Sequence, residues 1–323
     1  MSAIPTVTGT LDSTELGRTL VHEHVFISGE EYRLNYPGGW DEEARVAAAV
    51  DELNELHATG IDTIMDPTVL GLGRYIPRMQ RVAAQTPLNI VVATGVYTMN
   101  DLPLQFQYRG PGCLVDKPEP MTSLFISDIV DGIADTGVRA AFLKCAIDEP
   151  GLTEGVERAM RAVGQASIET GAPITVHTSA IDRTGLIAQR VLRSEGVDLS
   201  KVIIGHSGDT ADLDYLCALA DAGSYLGMDR FGVDTLLPLA RRVSVIVELV
   251  RRGYLDRIVI AHDYQCWIDF YTNAEKRETL GSDWSFRYIS EQVLPAFLKA
   301  GLTEDHIDAM LVRNPRRHLE AGR

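Results

Sequence analysis

The chain has 323 residues, 45% of them hydrophobic and 23% charged, with a formal net charge of −15 at pH 7. This balance excludes a disordered polymer and leaves room for a large core, and the lack of any Lys/Arg-rich cluster excludes a nucleic-acid-binding surface. No window approaches eighteen uninterrupted apolar residues, and the opening MSAIPTVTGTLDSTELG lacks the basic and apolar parts of a leader, so a cytoplasmic protein without a membrane partner is expected.

In chain order, the first strand-length run is TLVHEHVF (19–26). Strand alternation puts His22 and His24 on one side, with Glu23 and Val25 on the other. Two imidazoles roughly 7 Å apart on one face can share a metal ion. Packed core histidines would suit this strand equally well. A helical pattern follows in DEEARVAAAVDELNELHATG (41–60), then the strand runs DTIMDPTV (62–69), NIVVATGVY (89–97) and RAAFLKCAI (139–147). The remaining runs alternate more regularly. TEGVERAMRAVGQASIETG (153–171) reads as helix, PITVHT (173–178) and KVIIGHS (201–207) as strands, and ADLDYLCALADAG (211–223) as helix. SYLGMDRF (224–231), LARRVSVIVELVRRG (239–253) and RIVIAHDY (257–264) continue the pattern as strand, helix and strand. The segment QCWIDFYTNAEKRETLGSDWSFRY (265–288) reads as a polar and aromatic loop, longer than an ordinary connection and suited to a substrate wall. Two helical patterns close the chain. Eight continuous apolar strands separated by amphipathic helices favour a closed parallel (β/α)8 TIM barrel over an open sheet. No linker divides it, so residues 1–323 are expected to form a single domain.

In such a barrel the chemistry sits at the carboxyl ends of the strands. His22 and His24 end the first run, Lys144 lies in the fourth, and His177, His206 and Asp263 end the fifth, sixth and eighth. Four imidazoles and a carboxylate at one mouth would be a costly way to fill a core, because buried polar groups need partners. A metal centre is the expected reading. Lys144, an amine within AAFLKCAI, should have its pKa lowered by burial; the strand alone would also accommodate a lysine paired with a buried carboxylate.

The motifs GRTLVHEHVF, FLKCAI, ITVHT, IIGHSGD, LGMDRFG and IAHD, in this order, resemble the phosphotriesterase family of the amidohydrolase superfamily, most closely its lactonase branch. The resemblance implies that His22, His24 and Asp263 hold one divalent metal and that His177 and His206 hold a second. It further implies that Lys144 is carbamylated by carbon dioxide and bridges the two ions. Zinc is the expected metal, with cobalt, manganese and iron also compatible with such ligands. Paired ions roughly 3.5–4 Å apart acidify a bridging water and polarise the substrate oxygen. Asp263 is placed to accept the water's proton and deliver it to the leaving oxygen. Asp209 and Arg230 sit where the family has a relay behind the ligands, although Asp209 in HSGD also fits a helix cap.

Tyr97, at the end of GVY, matches the tyrosine of the lactonases, where phosphotriesterases resemble one another in having tryptophan. The short DRFGVDTLLPLARRV connection also resembles the lactonases. Cys266, Trp267 and Phe270, with Tyr271 and Trp284, are expected to offer apolar surface to an acyl chain. The expected activity is hydrolysis of N-acyl-homoserine lactones and related γ- and δ-lactones, with weak phosphotriesterase activity, by a homodimer. The alternatives are an organophosphate-hydrolysing phosphotriesterase and a non-catalytic metal-binding barrel. A third, a phosphate-binding barrel suggested by GLGRY (71–75), lacks the full glycine pattern and a Walker lysine, so turn chemistry is the simpler reading. His262 should turn away from Asp263 into the core, Asp66 should organise a loop, and His57, His306 and His318 receive no role. Cys113, Cys145, Cys217 and Cys266 lack C-x-x-C spacing, and reduced thiols are expected.

Overall fold

Seven of the eight apolar runs become strands of one parallel sheet, and the run at 19–26 contributes its first two residues. This is seen in a computed structural model of the chain that describes residues 2–281 and 283–322. Ser282, within the 265–288 segment, and the two terminal residues lie outside the described residues. The barrel strands are β1 (Thr19–Leu20), β2 (Thr63–Asp66), β3 (Asn89–Gly95), β4 (Phe142–Ile147), β5 (Ile174–Thr178), β6 (Val202–Ile204), β7 (Tyr225–Met228) and β8 (Ile258–Ile260). They neighbour one another in sequence order. At the seam, Val21 N–H donates to Ile260 O at 3.5 Å and Asp263 N–H to His22 O at 3.0 Å, so the sheet is a nearly closed (β/α)8 TIM barrel. Among the described residues, no helix is long and apolar enough to cross a membrane.

The helices form where the apolar period is helical and a cap is available. In Glu42–Ala58, the Asp41 carboxylate accepts the Ala44 N–H at 3.1 Å, and Val46, Ala49, Val50, Leu53 and Leu56 form the buried stripe. Glu154–Thr170 starts under Thr153 and stops at Gly171, which takes φ 77°.

The first expected strand is broken. Residues 21–23 leave the regular ladder, and His24–Ile27 pairs instead in parallel with Gln265–Ile268, His24 opposite Gln265. The segment after β8 is therefore not simply a loop: it supplies that ribbon strand and the helix Asn273–Leu280 before it reaches Trp284. The GLGRY stretch is a turn. A Cβ on Gly71 would fall 2.1 Å from Tyr97 O, and one on Gly73 would fall 1.5 Å from Ser28 O. These glycines allow the backbone to pass close to two neighbouring loops.

One buried group away from the barrel mouth contributes to the pH dependence of stability. His318 is fully buried with neither ring nitrogen hydrogen-bonded among the described residues, and burial lowers its pKa from 6.5 to about 3. The unfolded chain binds this proton more readily, so its neutral form adds nothing to acid resistance and stability falls as pH drops from 6.5 towards 3. The loss is on the order of 4 kcal/mol over the whole window. Unfolding free energies of the wild type and His318→Leu, measured from pH 7 to pH 4, should diverge, the variant losing less on acidification. Parallel curves would exclude the assignment.

Candidate metal centre

The strand ends bring His22, His24, Lys144, His177, His206 and Asp263 to one cavity of about 280 Å³, all but His206 lining it directly. His206 stands edge-to-face behind His177, ring centroids 4.5 Å apart. Lys144 and His177 point inward from β4 and β5, whereas His206 and Asp263 lie just past β6 and β8. Both of the latter take left-handed backbone, φ 61° and 57°, a conformation that non-glycine residues adopt when their surroundings impose it.

Each imidazole is oriented by a partner on its far nitrogen. His22 Nδ1 lies 3.1 Å from Asp229 Oδ2, and His206 Nδ1 lies 2.9 Å from Asp229 Oδ1. His177 Nε2 is 2.7 Å from Asp148 Oδ2, and His24 Nδ1 is 2.7 Å from Thr68 Oγ1. A carboxylate only accepts, so the nitrogen facing it carries the proton, and a neutral ring then has its lone pair on the other nitrogen. Burial lowers His177 to about 4 and holds His206 well below its ordinary value, so both rings are neutral near pH 7. Their remaining nitrogens, His177 Nδ1 and His206 Nε2, nevertheless face each other at 2.8 Å. Two opposed lone pairs at that distance call for a cation between or beside them.

A similar convergence occurs on the other side of the cavity. His22 Nε2 and His24 Nε2 each lie 3.5 Å from Asp263 Oδ1, and the three residues offer ligand atoms within 4.8 Å of one another. His22, His206 and Asp229 meet the same spacing, but Asp229 is already bonded to both imidazoles and to the His206 N–H at 2.7 Å. Asp229 is therefore the orienting carboxylate rather than a ligand. Burial works against its charge, yet the two imidazoles hold its carboxyl far below the usual range. Nitrogen and oxygen donors at this spacing fit divalent ions of the zinc class.

Lys144 is 1% exposed, with Nζ 3.4 Å from His22 Nε2. The nearby carboxylates of Asp263 and Asp229 favour its charged form without outweighing burial. Burial lowers its pKa to about 8, which leaves an appreciable neutral amine near neutral pH.

Arg230 Nε donates to Asp263 Oδ2 at 2.9 Å and its Nη1 to Asp209 Oδ2 at 3.1 Å. This leaves Asp263 Oδ1 facing the two histidines. Burial opposes the charge of Asp263, but His22, His24, His206 and Arg230 together keep its carboxyl well below the usual range. Asp209 also accepts from Arg242 Nη2 at 2.9 Å, and it caps no helix: Asp212 accepts the Tyr215 N–H at the start of Leu213–Asp221. A guanidinium does not give up its proton, so this chain of groups transmits orientation and charge rather than a proton.

Tyr97 stands edge-on to His177, ring centroids 5.2 Å apart, and burial raises its phenol above the ordinary value, so the O–H is intact at neutral pH. Phe270, Tyr271 and Trp284 line the cavity, Phe270 at the rim with 65% of its surface exposed. Cys266 and Trp267 do not line it, contrary to expectation. Both pack elsewhere: Trp267 lies under the Arg45 guanidinium at 3.6 Å and beside Trp40 at 5.7 Å, and Cys266 packs against the barrel core within the influence of the Glu52 and Lys276 charges.

The orienting groups Asp229, Asp148 and Thr68 were not among the residues singled out in the sequence. Asp229 carried a usable signal, since it ends YLGMD just as Asp263 ends IVIAHD. Asp66 does organise a loop, accepting the N–H groups of Val25 and Thr68 at 3.0 and 2.8 Å.

A family model described as the phosphotriesterase family matches residues 2–319. A phosphotriesterase homology protein of Mycobacterium tuberculosis is 53% identical over 321 residues, 99% of this chain and 98% of that one. An aryldialkylphosphatase of Saccharolobus solfataricus is 40% identical over 308 residues, 95% and 96% of the two chains. A solved structure of the phosphotriesterase from Mycobacterium tuberculosis superposes with a TM-score of 0.97 at 52% identity, covering 99% of each chain.

Proposed function

The chain belongs to the phosphotriesterase family, a family of metal-dependent hydrolases, and from that premise we propose that it hydrolyses N-acyl-homoserine lactones and related γ- and δ-lactones. Two divalent ions, zinc foremost, with a carbamylated Lys144 between them, are part of this reading, as is a homodimeric assembly. His22, His24 and Asp263 would hold one ion, and His177 and His206 the other. When bound, the ions acidify water and polarise the substrate oxygen.

The chain's own groups then have separate tasks. Asp263, whose Oδ2 is held by Arg230, takes up the proton of the attacking water and returns it to the leaving alkoxide. Arg230 and Asp209 keep that carboxylate oriented, and Asp229 keeps the proton on the Nδ1 atoms of His22 and His206. Tyr97 offers its O–H to the carbonyl oxygen as charge develops there. Ile27, Leu72, Val233, Leu236, Ile268 and Leu280 supply the apolar surface for an acyl chain.

The observation that carries the lactone assignment is Tyr97, an un-ionised phenol against His177 in a cavity otherwise lined mainly by apolar groups. Its test compares kcat/KM of the metal-loaded protein on acyl-homoserine lactones of graded chain length with that on paraoxon, an aryl dialkyl phosphate. A much higher value for the phosphate would overturn the assignment and favour the second reading, an organophosphate hydrolase, which is motivated by the 40% identity to an aryldialkylphosphatase. Tyr97→Phe should lower lactone kcat by about 10²-fold, the lower end of what losing one oxyanion donor costs. A variant as fast as the wild type would remove the phenol from the mechanism.

A further inference from the structure

On the side of the first strand turned away from His22 and His24, Glu23 has no exposed surface. Its carboxylate reaches the far end of the barrel seam. Oε1 accepts the backbone N–H of His262 at 2.7 Å and lies 2.8 Å from His262 Nδ1, while Oε2 accepts the backbone N–H of Tyr264 at 3.0 Å. These two amides flank Asp263, whose own N–H ends on His22 O at 3.0 Å. Three successive amides, 262 to 264, are therefore tied to residues 22 and 23.

Asp263 sits at φ 57°, a conformation that an L residue holds only when neighbouring contacts over-determine it. Contacts on both sides of the strained residue are what Glu23 supplies. His262 extends the arrangement. Its Nε2 accepts the Ile289 N–H at 3.0 Å, which puts the ring proton on Nδ1, towards Glu23. Its carbonyl accepts Trp284 Nε1–H at 2.9 Å, and Trp284 lines the cavity.

We propose that Glu23 is a positioning residue for the metal centre: it holds the 262–264 backbone so that Asp263 Oδ1 is aimed at His22 and His24, and through His262 it fixes the Trp284 wall of the same cavity. This rests on the metal-dependent reading of the site. Opposed side chains explain why one residue can do it. His22 and His24 line the cavity, while Glu23 between them reaches the backbone at 262–264, where the third ligand is carried.

Glu23→Gln is nearly isosteric and keeps an oxygen for His262, but it turns an N–H towards the Tyr264 amide. Metal affinity, measured by competition with a chelator on the full-length protein, should fall about 10- to 100-fold, the range seen when a group orienting a ligand is lost. Amide exchange at residues 262–264 should quicken while the circular dichroism spectrum is kept. Leu53→Ala, which removes core packing from the helix Glu42–Ala58, serves as the comparison and should lower Tm with metal affinity unchanged. If Glu23→Gln does not fold, Glu23→Asp, which keeps the charge but withdraws it by one methylene, is read in the same way.

Wild-type affinity and exchange in the variant would overturn the positioning role. So would an affinity loss that merely follows the fall in Tm, as measured against Leu53→Ala. A wild-type protein without bound metal by elemental analysis would instead overturn the reading of the site on which the role depends.

Discussion

Asp263→Asn is expected to lower kcat by about 10²–10⁴-fold, the usual contribution of a positioned acid–base group, with the fold and much of the metal kept. Several observations make the substitution selective. Asparagine tolerates the left-handed backbone that Asp263 adopts at φ 57°, so the seam with His22 O need not move. An amide oxygen can still face His22 Nε2 and His24 Nε2, both now 3.5 Å from Asp263 Oδ1. What disappears is the capacity to take up a proton there. Arg230 loses a charged partner but retains Asp209 at 3.1 Å, so its guanidinium stays in place. Elemental analysis beside steady-state kinetics decides the matter. A metal-replete variant with wild-type kcat would exclude Asp263 as the proton acceptor, whereas a metal-depleted one would assign the loss to ligation.

Removing the metal should have the larger effect, reducing hydrolysis to the uncatalysed background, with recovery when zinc, cobalt or manganese is added back. The reason lies in the opposed nitrogens of His177 and His206, 2.8 Å apart. Without a cation their lone pairs repel, and burial, which lowers both pKa values, resists the alternative of adding a proton. The metal-free protein must therefore separate these rings, losing both the catalytic ion and part of its native stability. At free metal a thousandfold above Kd, binding to the folded state alone contributes about 4 kcal/mol. A chelated sample should consequently melt at a lower temperature as well as being inactive. Full kcat in protein that elemental analysis finds metal-free would end the case for a metal-dependent hydrolase.

Both experiments probe residues that local sequence could identify. A strand announces itself by a run of apolar residues, and a polar group at its carboxyl end stands out against that run. His22, His24, His177, His206 and Asp263 were legible for this reason, Lys144 because an amine interrupts the middle of an apolar run, and so was the (β/α)8 alternation that brings strand ends to one mouth. Tyr97 was reached through the family resemblance and Phe270 through the long aromatic segment after the eighth strand, and both line the cavity.

Position along the chain determined which residues reach the barrel mouth, because alternation and strand ends are properties of a few consecutive residues. Only the tertiary structure decided how those residues are held and which neighbours face them. Asp229 bridges His22 and His206 across three strands, and Glu23 reaches His262 over a separation of 239 residues. The pairing of His24–Ile27 with Gln265–Ile268 likewise joins the two ends of the barrel, and in the folded chain Cys266 and Trp267 do not line the cavity. Such pairings follow from closure of the sheet, and closure depends on the register of strands far apart in sequence, which no local periodicity encodes.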